Sequence, residues 1–286
     1  MNVLFVGAGK GSWEMRGLQL AEAVGGRAAS TPTKADWAWA EVAVLVKRHG
    51  ALHAAQARAA GVPIAWDVLD FWQQPSENHL GAHLHRQALA DRVAGLAPAV
   101  VIGATRAQAE DAGPLGAYVP HHSWAGLEPT PPRREIRVVA YQGSPAFLGN
   151  WLGVLSRACV ARGWRFEVNP PDLSQADLLV ALRDGAWDGW ACRRWKSGVK
   201  LVNAVAAGRP VLAQATAAFA EIDPPGSTIE TAAQAEAALD AWRHYDARVA
   251  AYDICVRMAP AYRLPEVAAR FRRILDVARA TPCAAS

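Results

Sequence analysis

The sequence contains no run of eighteen apolar residues, although apolar side chains make up 52% of its 286 positions. A membrane-spanning helix needs about 20 such residues in succession, so none is expected. Cysteine is scarce. Cys159, Cys192, Cys255 and Cys283 are scattered, with no CxxC pair. That pattern indicates neither a zinc site nor a disulfide framework, and ordinary reduced thiols are expected. A strong charge imbalance is also missing: 30 Lys and Arg oppose 26 Asp and Glu, a net +4. The mild basic excess suits a polyanionic partner and equally a site for a bound diphosphate. The start, MNVLFVGAGKG, has neither the basic residues nor the cleavage site of a signal peptide. It reads as a first buried strand, and the cytoplasm is the expected location.

Tryptophan, by contrast, is plentiful, with twelve copies. Trp13, Trp72, Trp124, Trp187, Trp190 and Trp195 fall beside Arg or at expected loop ends. Such rings either stack on bases or sugars, or fill cores and domain interfaces.

The length suits two domains of roughly 130–150 residues. Apolar runs alternate with helical patterns. Strands are expected at Asn2–Val6, Val42–Val46, Ile64–Leu69, Ala99–Ile102 and Ala117–Val119. The helices between them run to about Val24, to Ala60, over His79–Gly95 and from Thr105. Glu128–Glu135, EPTPPRRE, is Pro-rich and aperiodic, the best linker in the chain. The alternation then resumes. Strands are expected at Ile136–Tyr141, Trp164–Val168, Leu178–Leu182, Val211–Ala213 and Ser227–Ile229, and helices at Phe147–Ala161, Ser197–Ala207 and Ala217–Ile222. From Thr231 the chain reads as helical, broken near Pro260 and Pro265. The expected architecture is α/β, with parallel sheets covered on both faces. The expected units are 1–130, 131–240 and a helical 241–286.

Ligands of such sheets bind beyond the carboxyl ends of the strands, in the cleft between halves. Five loops therefore matter. GAGKGSWEMRG (Gly7–Gly17) follows the first strand. Its spacing matches neither a dinucleotide fingerprint nor a P-loop. Gly9 and Gly11 let backbone approach a ligand, Ser12 is a candidate N-cap, and Lys10 and Arg16 add positive charge; the other reading is a tight turn. In WDVLDFWQQP, Asp67 and Asp70 end a buried strand. Either is a general base for an acceptor hydroxyl or a helix cap, with Asp70 nearer the loop. YVPHHSW places His121 and His122 before the linker, as base, phosphate contact or structural residues; adjacent histidines make a poor metal site, and no metal is expected. YQGSPAF offers Gly143 and Ser144 at a turn that suits phosphate oxygens. The richest segment runs from ADLLVALRDG to Val211. Arg183 ends a strand, a polar loop carries Arg193, Arg194 and Lys196, and Ser197 is positioned to cap a helix ended by Gly208. Lys196 and Lys200 converge with the helix N-terminus, as a diphosphate site or as a solvated basic turn.

This segment resembles the C-terminal domain of GT-B glycosyltransferases, whose helix reads roughly E-A-x-A-x-G-x-P-V before a strand and a loop bearing a glutamate and a glycine. Here the counterpart is Asn203-Ala204-Val205-Ala206-Ala207-Gly208-Arg209-Pro210-Val211, then Glu221 and Gly226. The resemblance covers most of the second half and only the architecture of the first. It implies two facing Rossmann-like domains, with C-terminal helices crossing back to the first. It also implies a nucleotide-sugar donor, UDP-linked above all, held by the second domain, an acceptor held by the first, and no cofactor or bound metal. Arg183, Lys196 and Lys200 would neutralise the leaving diphosphate, and Glu221 would contact nucleotide or sugar. Retaining members often carry two glutamates eight positions apart around this helix; Trp195 and Asn203 occupy those positions here. An inverting reaction with Asp70 or another first-half acid as base is the preferred reading. The acceptor is a glycan or 5-hydroxymethylpyrimidine in DNA, since T-even phage DNA glucosyltransferases share the fold; Trp72, Trp124, Arg133 and Arg134 would then face DNA. The alternatives are a non-catalytic nucleotide- or glycan-binding module, and a nucleotide-sugar epimerase or dinucleotide oxidoreductase.

Overall fold

The computed structural model describes residues 1–48 and 50–281; Cys283 lies outside the described residues. In the first half, strands β1 (Val3–Val6), β2 (Arg27–Ala29), β3 (Val42–Val46), β4 (Ile64–Asp67), β5 (Val100–Gly103) and β6 (Gly116–Tyr118) form one sheet in the order β2-β1-β3-β4-β5-β6. All its pairings are parallel. Parallel strands covered on both faces need apolar side chains at every position, and β1, β3 and β4 are buried throughout, Asp67 included. The covering helices are α1 (Leu20–Ala23), preceded by a π-helical stretch Glu14–Gln19, then α2 (Lys34–Trp39), α3 (Ala51–Ala59), α4 (Ala82–Leu96) and α5 (Arg106–Asp111). Thr105 caps α5 as its position suggests, accepting a hydrogen bond from the Gln108 amide.

The second half repeats the plan. Strands β7 (Val138–Tyr141), β8 (Arg165–Val168), β9 (Leu178–Ala181), β10 (Val211–Ala213) and β11 (Gly226–Thr228) pair in parallel in the order β11-β10-β9-β7-β8. Helices α6 (Asn150–Ala161), α7 (Trp190–Trp195), α8 (Val199–Ala207), α9 (Ala217–Ile222) and α10 (Ala232–Ala241) follow. Then α11 (Tyr245–Met258), a short 3-10 turn Ala259–Tyr262 and α12 (Leu264–Ala280) close the chain. The turn contains Pro260, and Pro265 falls in the first turn of α12, where a missing N–H costs nothing.

Helix α12 returns to the first half. Its Val267, Phe271, Leu275 and Ala278 pack with Val3, Phe5, Val44 and Ile102. The outward crossing between β6 and β7 runs beside it, where the Ser123 amide donates to the Tyr262 carbonyl at 2.8 Å. Helix α7 crosses the other way. Ala191, Cys192 and Trp195 of the second half join Val68, Trp72 and Leu89 of the first in one apolar cluster. Strand order reverses between β1 and β3 in one sheet and between β7 and β9 in the other. Crevices open at such reversals, so the loops after β7 and β9 are where a ligand of the second half would lie.

Candidate functional site

The strongest local feature is the start of α8. Ser197 does not cap it. Gly198 stands at the N-cap position and no side chain closes the helix end. A Cβ at Gly198 would meet Ile222 Cδ1 at 2.3 Å and Ala218 Cβ at 3.3 Å. The close approach of α9 therefore puts the cap one residue later than the Ser-first pattern suggests. The amides of this helix end open instead into a cavity of about 60 Å³, lined among others by Arg183, Lys196, Ser197 and Lys200. Unsatisfied N–H groups at a helix start carry partial positive charge.

The three cations around this cavity are unevenly matched by anions. Arg183, just past β9, is buried; its guanidinium donates to Gln74 Oε1 at 3.2 Å and to the Trp187 carbonyl at 3.3 Å, and stacks over Phe147. Its backbone is held by Gln214, which accepts from the Arg183 amide and donates back to its carbonyl. Lys196 reaches across the cleft to the Asp70 carboxylate. Lys200 is half-buried with its ammonium 4.8 Å from the centre of the Tyr141 ring, and no carboxylate pairs with it among the described residues. Burial first, then Arg183 and Lys196, push its pKa down from 10.5 to about 7 against the pull of Asp70. Burial also pushes Lys196 down, opposed by Asp70.

Asp70 is 5% exposed, near the start of the connection that follows β4. Burial disfavours its charged form, but Lys196, Lys47 and Arg183 outweigh that and hold its pKa at about 2. One oxygen takes Lys196; the other, Oδ1, is buried without a partner. Lys47, immediately after β3, was a missed member of this electrostatic group; its place at a strand's carboxyl end was the available signal.

Several expectations need correction. Asp67 has no oxygen free to act as a base: it is fully buried and takes Arg16 Nε at 2.8 Å and Nη2 at 3.1 Å. The same pairing removes Arg16 from any ligand, since its remaining nitrogen Nη1 donates to the Val119 and Pro120 carbonyls. His122 is fully buried with both ring nitrogens 2.9 Å from backbone carbonyls, of Ser123 and Met15. Burial lowers its pKa, and His121 is lowered further beside Arg16. His122 thus braces the crossing segment against the first helix. Glu221 spends both oxygens on the opening amides of α5, Arg106 at 2.8 Å and Ala107 at 3.2 Å, and so caps a first-half helix from the second half. The Gly143 amide donates to Asn169 Oδ1 at 2.7 Å, and Ser144 makes no capping bond. The loop there runs on to α6 at Asn150, so no long helix points its N-terminus at Gly143.

Gly9, Lys10 and Gly11 form an exposed turn after β1, Gly9 and Gly11 with positive φ, and Lys10 has no partner among the described residues. Ser12 lies inside the helix and caps nothing. Gly7 and Gly17 have a packing role, because a Cβ at either would lie 2.5 Å or less from the Trp13 ring. Arg193 and Arg194 belong to α7; Arg193 pairs with Asp188 and Glu230, and Arg194 with Asp111. Trp195 is fully buried, its ring among Phe71, Trp72, His85 and Trp190 and its Nε1 on Asp111. Asn203 is buried too, accepting from the Trp124 amide and donating to Gln142 Oε1. Among the described residues, no group of three or more His, Cys, Asp or Glu is placed to hold a metal ion. No helix there is long and apolar enough to cross a membrane.

Two facing parallel sheets with reversed strand order, joined by a returning C-terminal helix, decide the architecture. The chain has the GT-B fold. It aligns over 96% of its length with 99% of the Anabaena protein HepE, solved with UDP and glucose, at a TM-score of 0.67 and 13% identity. An E. coli trehalose-6-phosphate structure bound with UDP-2-fluoro glucose matches over 99% of this chain and all of its own, with a TM-score of 0.64 and 10% identity. A glycosyltransferase involved in avilamycin A biosynthesis aligns over 98% of both chains, with a TM-score of 0.56 and 14% identity. No family model and no curated protein matches the sequence.

Proposed function

We infer that this GT-B chain is a glycosyltransferase that moves a sugar from a nucleoside-diphosphate donor to an acceptor hydroxyl. The observation that carries the reading is the surplus of positive charge at the open start of α8. Arg183, Lys196 and Lys200 face one cavity; Asp188, which also lines it, is paired with Arg193, and Asp70 is paired with Lys196. A diphosphate restores the balance, accepting from the helix amides and from both ammonium groups. UDP is the favoured nucleotide because two of the similar structures hold UDP or a UDP-sugar.

In this reading the acceptor oxygen attacks the anomeric carbon as the bond to the diphosphate oxygen breaks. The bond's electron pair leaves with the diphosphate, whose growing charge is met by preorganised cations and amides. Asp70 takes the hydroxyl proton through Oδ1, and the configuration inverts. A glycan hydroxyl suits the acceptor better than DNA. Of the four residues considered for a DNA-facing surface, Trp72 is 2% exposed, Arg133 binds Gln175 and Asp177, and Arg134 lies over Tyr245. Only Trp124 presents an exposed ring.

Titration of UDP and uridine into wild type and Lys200→Met tests the site. A lost charge-assisted hydrogen bond should weaken UDP about tenfold or more and leave uridine within about twofold. Equal losses for both ligands would remove Lys200 from the diphosphate site. UDP-sugars that bind but are neither transferred nor hydrolysed with any glycan acceptor would make the chain a binding module.

A further inference from the structure

The ion pair between Asp70 and Lys196 joins the two halves directly, from the loop after β4 to the residue before Ser197. Both partners have other work in the reading above. Lys196 lines the cavity at the open start of α8, and Asp70 carries a buried oxygen with no partner. Lys196 is bound to one carboxylate oxygen, and its ammonium also lies where a diphosphate would be held. A compact ammonium at the end of a flexible stem can follow the stronger anion, and a diphosphate carries more charge than a carboxylate.

We propose that Asp70 and the donor diphosphate compete for Lys196, so that donor binding releases the base: an interlock that arms Asp70 only when the donor is in place. This rests on the diphosphate reading of the α8 site. With the site empty, Lys196 holds Asp70 in its least basic state, and an acceptor hydroxyl finds no proton acceptor. When the diphosphate enters, Lys196 turns to it, and Asp70 keeps its charge with one counterion fewer. Its basicity rises at the step that needs it. The partnerless Oδ1 is the atom left to receive the acceptor, and the positive charges of Lys47 and Arg183 still favour the ionised carboxylate.

The probe is inorganic pyrophosphate, which needs no base pocket, titrated calorimetrically into wild type, Asp70→Asn, Lys196→Met and the double variant. Freeing Lys196 should make Asp70→Asn bind pyrophosphate about tenfold tighter than wild type. In the Lys196→Met background the same Asp70→Asn change should tighten binding by less than about twofold. A gain of equal size in both backgrounds would mean that Asp70 merely repels anions, which overturns the interlock. Unchanged or weaker binding by Asp70→Asn overturns it as well. Asp70→Ser repeats the test if the amide disturbs folding. Failure of every variant and of wild type to bind pyrophosphate would instead remove the diphosphate site itself, and the interlock with it.

Discussion

Lys200 shows how one residue reports on its ligand. Its pKa is depressed to about 7, burial first and Arg183 and Lys196 after it. A bound diphosphate would raise it again, so binding takes up a proton as pH passes above 7. Below pH 7 the ammonium is already formed and contributes fully. Above it, affinity for pyrophosphate should fall by up to about tenfold per pH unit, the slope of a single proton. Calorimetry between pH 6 and pH 9 checks this, and Lys200→Met should flatten the profile. The empty protein has the opposite dependence. A charged Lys200 penalises the fold fully below about pH 7, and the penalty fades toward the ordinary lysine value of 10.5. In the sequence around Lys200, only Lys196, four positions earlier, announces this. The larger part comes from burial in the fold, then from Arg183, seventeen positions earlier.

At the scale of elements, strand alternation was readable because buried parallel strands must be apolar throughout, as VLFV, VAVLV and VVIG are. Helix α9 was readable to its ends, with Thr216 capping Phe219 and an αL residue closing it. The short pieces were not. Strand β2, Arg-Ala-Ala, is a sheet edge with exposed Arg27, and carries no alternation. Helix α7, WACRRW, looks like a basic loop because two of the carboxylates its arginines meet, Glu230 and Asp111, come from elsewhere in the chain, beside the local Asp188. The Arg16–Asp67 pair joins residues 51 apart and is invisible until the sheet forms. The cation cluster was legible as a convergence of charge, its partner Asp70 only as a loop acid. Asn78 was not legible at all: buried, it accepts from Trp72 Nε1 and donates to the Ala186 carbonyl, stitching the halves together. Beside it, Gly189 has φ +147°, and a Cβ there would lie 2.0 Å from the Asn78 carbonyl oxygen. Gly189→Ala should therefore cost about 1–3 kcal/mol, read by chemical denaturation, and should speed amide exchange in 185–195.

For the whole molecule, the returning helix α12 makes the first half depend on the end of the chain. Phe271 is fully buried, its ring 5.7 Å from that of Phe5 and 5.3 Å from the Arg16 guanidinium. Phe271→Ala should cost about 3–5 kcal/mol. Hydrogen exchange should place the loss in β1, β3 and β5 and leave β7 and β9 near their wild-type protection.

The two crossings also define mechanics. The outward segment at Ser123 and the homeward turn at Tyr262 are hydrogen-bonded side by side, so the halves are tethered twice along nearly one line. Two adjacent tethers fix the halves to each other along that line. Away from that spine, Lys196 on Asp70, Asn78 on Ala186 and Glu221 at the start of α5 act as latches. These polar contacts can be exchanged for solvent or ligand, but they flank the apolar contact of Trp195 with Val68 and Trp72, which cannot be exchanged so cheaply. The start of α8 therefore sits beside both kinds of contact, polar pairs that a ligand can replace and an apolar seam that keeps the halves together.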